Sequence, residues 1–357
     1  MILSKIVNLK KENINMAMLD FEYYKNQTFD NFVDKQFLDI LKNEDTYKKI
    51  INSKTFKRLL NIRFLGAIDY ISTNKIRYDR YYHSISVATL SLYYSKLKHL
   101  NEYETKHLAV ASLLHDIGHG PLSHSMEPAF QDRFGISHHT NSNDIIKGDK
   151  TLFKDEINSI LRDENINIEY VLALLNNEVS NDTSFALSNP INIDTIDGIY
   201  RTYSQSLPTK TQKLHLALLP KQKEIVEALV NKDKSKLDEF WKLKDRVYKA
   251  IIHKEENLKA DSIAIEFVKS EKNIDKESFF FSDKEFKQKY SKLFYKLAKN
   301  EIKEKELIYK KRNYYIDEDD NSSHFISRYK LEKHIEKKVI CKSLKIYEMQ
   351  KRIYFNN

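Results

Sequence analysis

The 357-residue chain is long enough for one large domain or two smaller ones, and with only 6 Gly and 5 Pro it lacks the turn supply of a β-sandwich or barrel. Its 60 Lys+Arg against 51 Asp+Glu leave a charge of +9, which fits either an anionic partner or opposite charges interleaved on solvated helix faces. The single cysteine, Cys341, excludes an intramolecular disulfide and a cysteine-based zinc cluster.

The apolar run within residues 1–11 is too short for a signal peptide, and no stretch approaches the roughly 18 apolar residues of a membrane span. The expectation is a soluble, cytoplasmic protein with no membrane partner. Residues 1–45 form an N-terminal segment whose aromatic cluster, Phe21, Tyr23, Tyr24, Phe29, Phe32 and Phe37, is expected to pack on the main body. Over 46–65, Tyr47, Ile50, Ile51, Phe56, Leu59, Leu60 and Ile62 recur at helical spacing, with Gly66 as the stop. Arg58 and Arg63 ride on this segment. Residues 70–82 have no clear period and read as a loop or short hairpin. A helix then follows over about 82–99, with His83 in its first turn.

The next helix, over 102–115, is apolar nearly all round, the mark of a central helix in a bundle. It delivers His115 and Asp116 at its exit, in the stretch His115-Asp116-Ile117-Gly118-His119-Gly120-Pro121-Leu122-Ser123-His124. Gly118, Gly120 and Pro121 are ordinary helix stops, so a plain capped end explains the break. It does not explain three histidines and an aspartate together, which suit a divalent cation that compensates a partly buried carboxylate. Further helices are expected over 127–134, 142–146, 153–162 and 168–176, then a polar linker over 178–184. Residues 190–201 place Asp194, Asp197 and Arg201 on one helix face. Asp197 with Arg201 reads as an i, i+4 ion pair, which leaves Asp194 to project towards a ligand. Amphipathic helices follow over 221–230 and 237–252, the second carrying Trp241, Asp245 and Arg246. Beyond 260 the charge density rises, and 313–316 and 338–347 have partial strand periodicity around the polar break 317–323. Lys303, Lys305, Lys310, Lys311 and Arg312 interleave with Tyr309, Tyr314 and Tyr315, a pattern that fits a solvated face or, less well, nucleic acid. There is no internal repeat, Walker-type loop or dinucleotide fingerprint.

His83, His115, Asp116 and Asp194 together form a mixed nitrogen and oxygen donor set suited to Mn, Fe, Zn or Mg. With a position left open, such a metal polarises a phosphoryl oxygen and acidifies water. His124, held beyond the metal helix by a Gly-Pro turn, is placed to protonate a leaving oxygen or attack phosphorus. Glu127, three residues on, can fix its tautomer. His119 fits catalysis or the orienting of a ligand equally well, and one of His138 and His139 is expected at the site.

The chain here resembles the HD-domain phosphohydrolase superfamily, whose signature is a lone His, a His-Asp pair and a distant Asp. More narrowly, it looks like the deoxynucleoside triphosphate triphosphohydrolase-like branch. The matching pieces are Arg80-Tyr81-Tyr82-His83-Ser84, the stretch from Leu114 to His124, and Asp194-x-x-Asp197-x-x-x-Arg201, within residues 52–261. The resemblance implies a mostly α fold, an HD-domain helical bundle over 46–260, while the partial strand periodicity beyond it leaves 261–357 as a C-terminal α or α+β region with room for a small sheet. It implies a metal held by His83, His115, Asp116 and Asp194, with His119, His124 and His138 near the phosphate path and Arg80 and Arg246 as phosphate contacts. Arg58, Arg201 and Phe64 join the substrate-facing set. It also implies a homo-oligomer with nucleotides between subunits. Three positions depart from the branch. Phe64 stands where a glutamine usually recognises the sugar, Gly198 where a tyrosine stands, and Thr202 where an aspartate stands. The expected activity is hydrolysis of a dNTP to deoxynucleoside and triphosphate. The alternatives are another phosphoester, such as a nucleoside monophosphate, cyclic nucleotide or nucleic-acid end, or a non-catalytic nucleotide sensor.

Overall fold

The computed structural model describes residues 32, 35–72, 77–149, 153, 155–207, 212–299, 306–320 and 325–339. Phe21, Tyr23, Tyr24, Phe29, Cys341, Lys303 and Lys305 lie outside them. The fold is mostly helical, with one two-stranded antiparallel sheet among the described residues. None of the described helices is long and apolar enough to cross a membrane.

Two helices form the centre. Asp79 caps the first, Arg80–Lys98, by accepting from the Tyr82 amide at 3.0 Å, and the chain leaves it through His99 in the left-handed region. The second, Glu102–Leu114, starts with a reciprocal capping box between Asn101 and Glu104. From His107 to Leu114 all of it is buried, so the His-Asp pair is delivered at the end of an element that cannot shift without moving the core. The helix Ile193–Ser206, capped by Asn192, packs against the Arg80–Lys98 helix and carries Asp194.

Several elements differ from the sequence expectation for identifiable local reasons. The helix expected over 46–65 is broken into Asp45–Asn52, Lys54–Lys57 and a tight turn Arg58–Asn61, because Ser53 ends the first piece and caps the second. The helix expected from 142 begins earlier, as His138–Lys147, because Ser137 and Thr140 form a capping box. Part of the expected 178–184 linker is the start of the helix Asp182–Ser188, capped by Asn181 and Ser184. The strands are Glu306–Ile316 and Tyr329–Val339, with Tyr315 opposite Lys330. The second strand begins earlier than the segment expected for it and overlaps it only at 338–339, and residues 340–347 fall outside the description. Trp241 donates to the Tyr315 carbonyl at 3.0 Å and packs on Tyr314 and Tyr329, which fastens the hairpin to the helix Lys234–Val247.

The helix Glu255–Ser270 runs through residues 260 and 261. Its Ala260, Ala264 and Phe267 share a core cluster with Leu122, Met126 and Phe130 and with Phe279, Phe286 and Leu293. The C-terminal helices therefore pack directly on the segment that follows the His-Asp turn.

Candidate metal centre and active site

His83 and His115 are fixed by their inward nitrogens. His83 Nδ1 lies 2.6 Å from Asp197 Oδ2, and His115 Nδ1 lies 2.7 Å from the Ser112 carbonyl. A carboxylate and a carbonyl can only accept, so both rings carry their proton on Nδ1 and present an Nε2 lone pair. Those two Nε2 atoms are 3.3 Å apart. Asp116 Oδ2 is 3.5 Å from each of them, and Asp194 Oδ1 is 3.0 Å from His83 and 3.6 Å from His115.

Two facing lone pairs flanked by two carboxylates repel one another unless a cation lies between them. Donors held about 2.1 Å from one ion are separated by about 3.0 Å at right angles and about 3.4 Å at tetrahedral angles, close to the spacings observed. His83, His115 and Asp116 form a group able to hold a metal ion. Asp194 reaches both imidazoles from the half-exposed start of its helix, so this donor set fits a divalent metal. With only protons to share, burial pulls His115 down, but Asp116 and Asp194 outweigh it and push it up to about 9. Burial likewise opposes ionisation of Asp116, but Arg80 and His115 hold it well below the usual carboxylate range.

Around this set the structure places Asp197, which the sequence reading leaves as the partner of Arg201. It does pair with Arg201, and it also accepts from Ser86 at 2.6 Å and anchors His83. The available signal was its i+3 spacing from Asp194. Arg80 is buried and occupied on three sides: Nη1 to Asp116 at 2.7 Å, Nε to Ser123 Oγ at 2.7 Å and Nη2 to the Phe64 carbonyl at 3.1 Å. Phe64 lies under the Arg80 guanidinium at 4.7 Å and beside the His83 ring at 4.8 Å.

The second group begins on the far side of Asp116, whose Oδ1 is 3.1 Å from His119 Nε2. Glu127 joins two histidines: Oε2 is 3.1 Å from His124 Nδ1, while Oε1 is 2.6 Å from His138 Nδ1 and accepts the His138 amide at 2.9 Å. His124 is the exposed member, with a side chain 60% accessible and Nε2 turned away from Glu127. His119 and His138 stack at 4.2 Å with rings within 6° of parallel. His138 joins this group, whereas His139 beside it is exposed. The helix His138–Lys147 docks tightly on the His-Asp turn, since a Cβ on Gly118 would lie 2.2 Å from the His138 carbonyl. Burial holds His119 well below the usual imidazole range, with Arg80 acting in the same direction. Burial works against a charged Glu127, but its hydrogen bonds to His124 and His138 hold it far below the usual range.

Three arginines expected to face substrate are placed elsewhere. Arg201 is buried behind Asp197, donates to the Tyr82 carbonyl at 3.2 Å and lies over Tyr78. Arg58 is buried behind the turn, donates to the Ile117 carbonyl at 2.8 Å and covers Phe153. Arg246 is exposed and lines a cavity of about 330 Å³ with Tyr200, Tyr203 and Phe240, which includes none of the metal set. The alternation along its helix turns Arg246 outward and Lys244 inward. Lys244 donates to the Pro190 carbonyl at 3.3 Å, and burial pushes it down to about 7 against the pull of Asp194.

Residues 80–179 match the family model of the HD domain. An uncharacterised Mycoplasma genitalium protein is 36% identical over 109 residues, which is 29% of this chain and 25% of the relative. A Dictyostelium discoideum protein described as a deoxynucleoside triphosphate triphosphohydrolase SAMHD1 homolog is 30% identical over 108 residues, 28% of this chain and 21% of the relative. The chain thus aligns with about a quarter of these relatives' length. A solved phosphohydrolase from Bacteroides thetaiotaomicron shares the fold at a TM-score of 0.50 and 17% identity, over 62% of this chain and 54% of that one. The histidine and aspartate positions that converge in space are those of the matched segment and the helix beyond it, and over residues 80–179 the chain carries an HD domain.

Proposed function

We propose that the protein is a divalent metal-dependent phosphohydrolase acting on nucleotides, and that it cleaves a dNTP to deoxynucleoside and triphosphate. The observation that carries this reading is the pair of facing His83 and His115 lone pairs beside a solvent-open, Glu127-anchored His124. A divalent ion held by His83, His115, Asp116 and Asp194 supplies Lewis-acid polarisation of a phosphoryl oxygen and acidity for an attacking water.

The chain's own groups do the rest. Asp197 and the Ser112 carbonyl hold the two imidazoles in the ligating tautomer. Glu127 keeps the His124 proton on Nδ1 and leaves Nε2 as the base or nucleophile facing substrate. Arg80 sets a positive charge between Asp116 and Ser123, where phosphoryl charge would develop. Neutral His119 packs against His124 and His138 and restricts where both rings can turn.

The dNTP assignment rests on the motif resemblance and on the partial match to the triphosphohydrolase homolog. Its test is incubation of the purified chain with each dNTP and Mn or Mg, followed by product analysis. Triphosphate supports the assignment, whereas orthophosphate or pyrophosphate alone moves the enzyme to another phosphoester class. A specific observation favours that second reading. The Phe64 ring rests on His83 and Arg80, and a Cβ on Gly198 would lie 3.5 Å from it, so an apolar wall stands where the branch places sugar-binding polar groups. A monophosphate, a cyclic nucleotide or a nucleic-acid end then takes the place of the dNTP. The proposed homo-oligomer is checked by mass measurement with and without nucleotide, and the protein is taken to act in the cytoplasm. A sensor without turnover would retain the metal set but have no use for an exposed, oriented His124.

A further inference from the structure

The loop between His119 and His124 crosses an unfavourable piece of backbone. Leu122 and Ser123 have φ of 54° and 49°, a left-handed conformation that side chains with a Cβ resist, in two consecutive non-glycine residues. Both are buried. Such a turn persists only where its surroundings over-determine it.

The restraint comes from outside the matched HD segment. Asp283, 3% exposed at the start of the helix Asp283–Lys289, accepts the Leu122 amide on Oδ1 at 2.7 Å. Its Oδ2 accepts the Arg63 amide at 3.1 Å and the Tyr70 hydroxyl at 2.9 Å. One carboxylate therefore ties the loop that leads into His124 to the segment that presents Phe64, and so joins two walls of the site. The 63–70 segment is itself pressed on the loop, since a Cβ on Gly66 would lie 2.2 Å from the Leu122 carbonyl. Ser123, held in place this way, is the residue that receives Arg80 Nε at 2.7 Å.

We propose that Asp283 is a positioning residue for the reaction: it holds Leu122 and Ser123 in the left-handed turn that sets His124 and Arg80 relative to the metal set. The assignment of a reaction rests on the proposed function; the assignment of the restraint does not. It gives the C-terminal region a task at the active site, that of fixing the geometry of a loop it does not itself contain.

The test compares Asp283→Ala, Asp283→Asn and Asp283→Glu in the full-length, Mn-loaded chain. Readouts are kcat and KM on the phosphoester that the wild type hydrolyses best, bound Mn, and hydrogen–deuterium exchange of peptides covering 119–126. For Asp283→Ala, exchange in those peptides rises about tenfold and kcat falls about tenfold or more, with KM within about twofold and Mn content unchanged. Asp283→Asn keeps an oxygen for the Leu122 amide and restores most of both. Asp283→Glu keeps charge and acceptors but pushes the loop outward by one methylene, and lowers kcat by about tenfold in a folded protein. If Asp283→Ala does not fold, Asp283→Glu decides: wild-type kcat and loop exchange in that variant overturn the proposal. They overturn it equally in folded Asp283→Ala. A wild type that hydrolyses no phosphoester removes the proposed function instead, and loop exchange alone then judges Asp283.

Discussion

The two histidine groups lie on opposite sides of Asp116 and differ in what holds their rings. In the first, Asp197 and the Ser112 carbonyl fix both Nδ1 protons, so the Nε2 lone pairs of His83 and His115 converge at 3.3 Å. In the second, Glu127 fixes His124 and His138, but the His119 and His138 rings stack face to face at 4.2 Å. Imidazole lone pairs lie in the ring plane, so two parallel rings cannot point at one ion between them. Three histidines and a glutamate near each other could hold a metal by composition. By ring orientation, the second group suits proton transfer and anion contact, while the first suits ligation. Orientation by the neighbours, more than residue type, separates rings placed to ligate from rings placed to move a proton.

The largest expected effect comes from breaking the first group alone. Asp116→Ala removes one donor and leaves buried Arg80 without its carboxylate, and should abolish metal binding and lower turnover by roughly 10³-fold or more. Metal analysis beside circular dichroism checks this. A folded variant that keeps its metal and its rate would erase the distinction between the groups. Breaking the second group should do the opposite. His124→Ala is expected to lower kcat by about 10²- to 10⁴-fold with metal content unchanged, as read by parallel turnover and metal assays. Loss of metal from that variant would mean that the two groups form one site.

A smaller effect concerns the scaffold of the first group. Asp79 caps the His83 helix and is almost fully buried, and burial pushes its carboxyl up to about 7. Because that value lies above the unfolded one, the native state holds the proton more tightly. Asp79 therefore favours folding at low pH, and its contribution falls as pH rises from about 4 towards about 7. Asp79→Asn keeps the cap and removes the buried charge. It should flatten that part of the stability profile and raise stability near pH 8 by about 1–3 kcal/mol, as denaturant titrations at several pH values would read. An unchanged slope would mean that the carboxyl is ionised throughout.

Much of this molecule was legible in local pattern. The nearly all-apolar run 108–114 announced a central helix, and the His-Asp pair at its exit, with Gly118 and Pro121, announced a turn carrying chemistry. Glu127 as the partner of His124 followed from an i+3 spacing, and it is found there. Caps such as Ser53 and the Ser137–Thr140 box were harder to weigh against apolar periodicity, and helix boundaries moved accordingly. The arginines show the opposite limit. Arg246 was expected at the phosphate by resemblance and Arg58 and Arg201 in the substrate-facing set, but exposure on an outer face, burial behind the turn and the expected pairing with Asp197 decided their surroundings.

What the sequence by itself determined is the donor set and its delivery, because residue type, helix period and helix stops are local properties. Tertiary structure alone decided which nitrogen of each histidine faces inward, that Asp197 orients His83, and that Asp283 reaches Leu122 across 161 positions. Those are contacts between distant parts of the chain. No pattern within a window encodes a hydrogen bond whose partner is brought near only when the core closes.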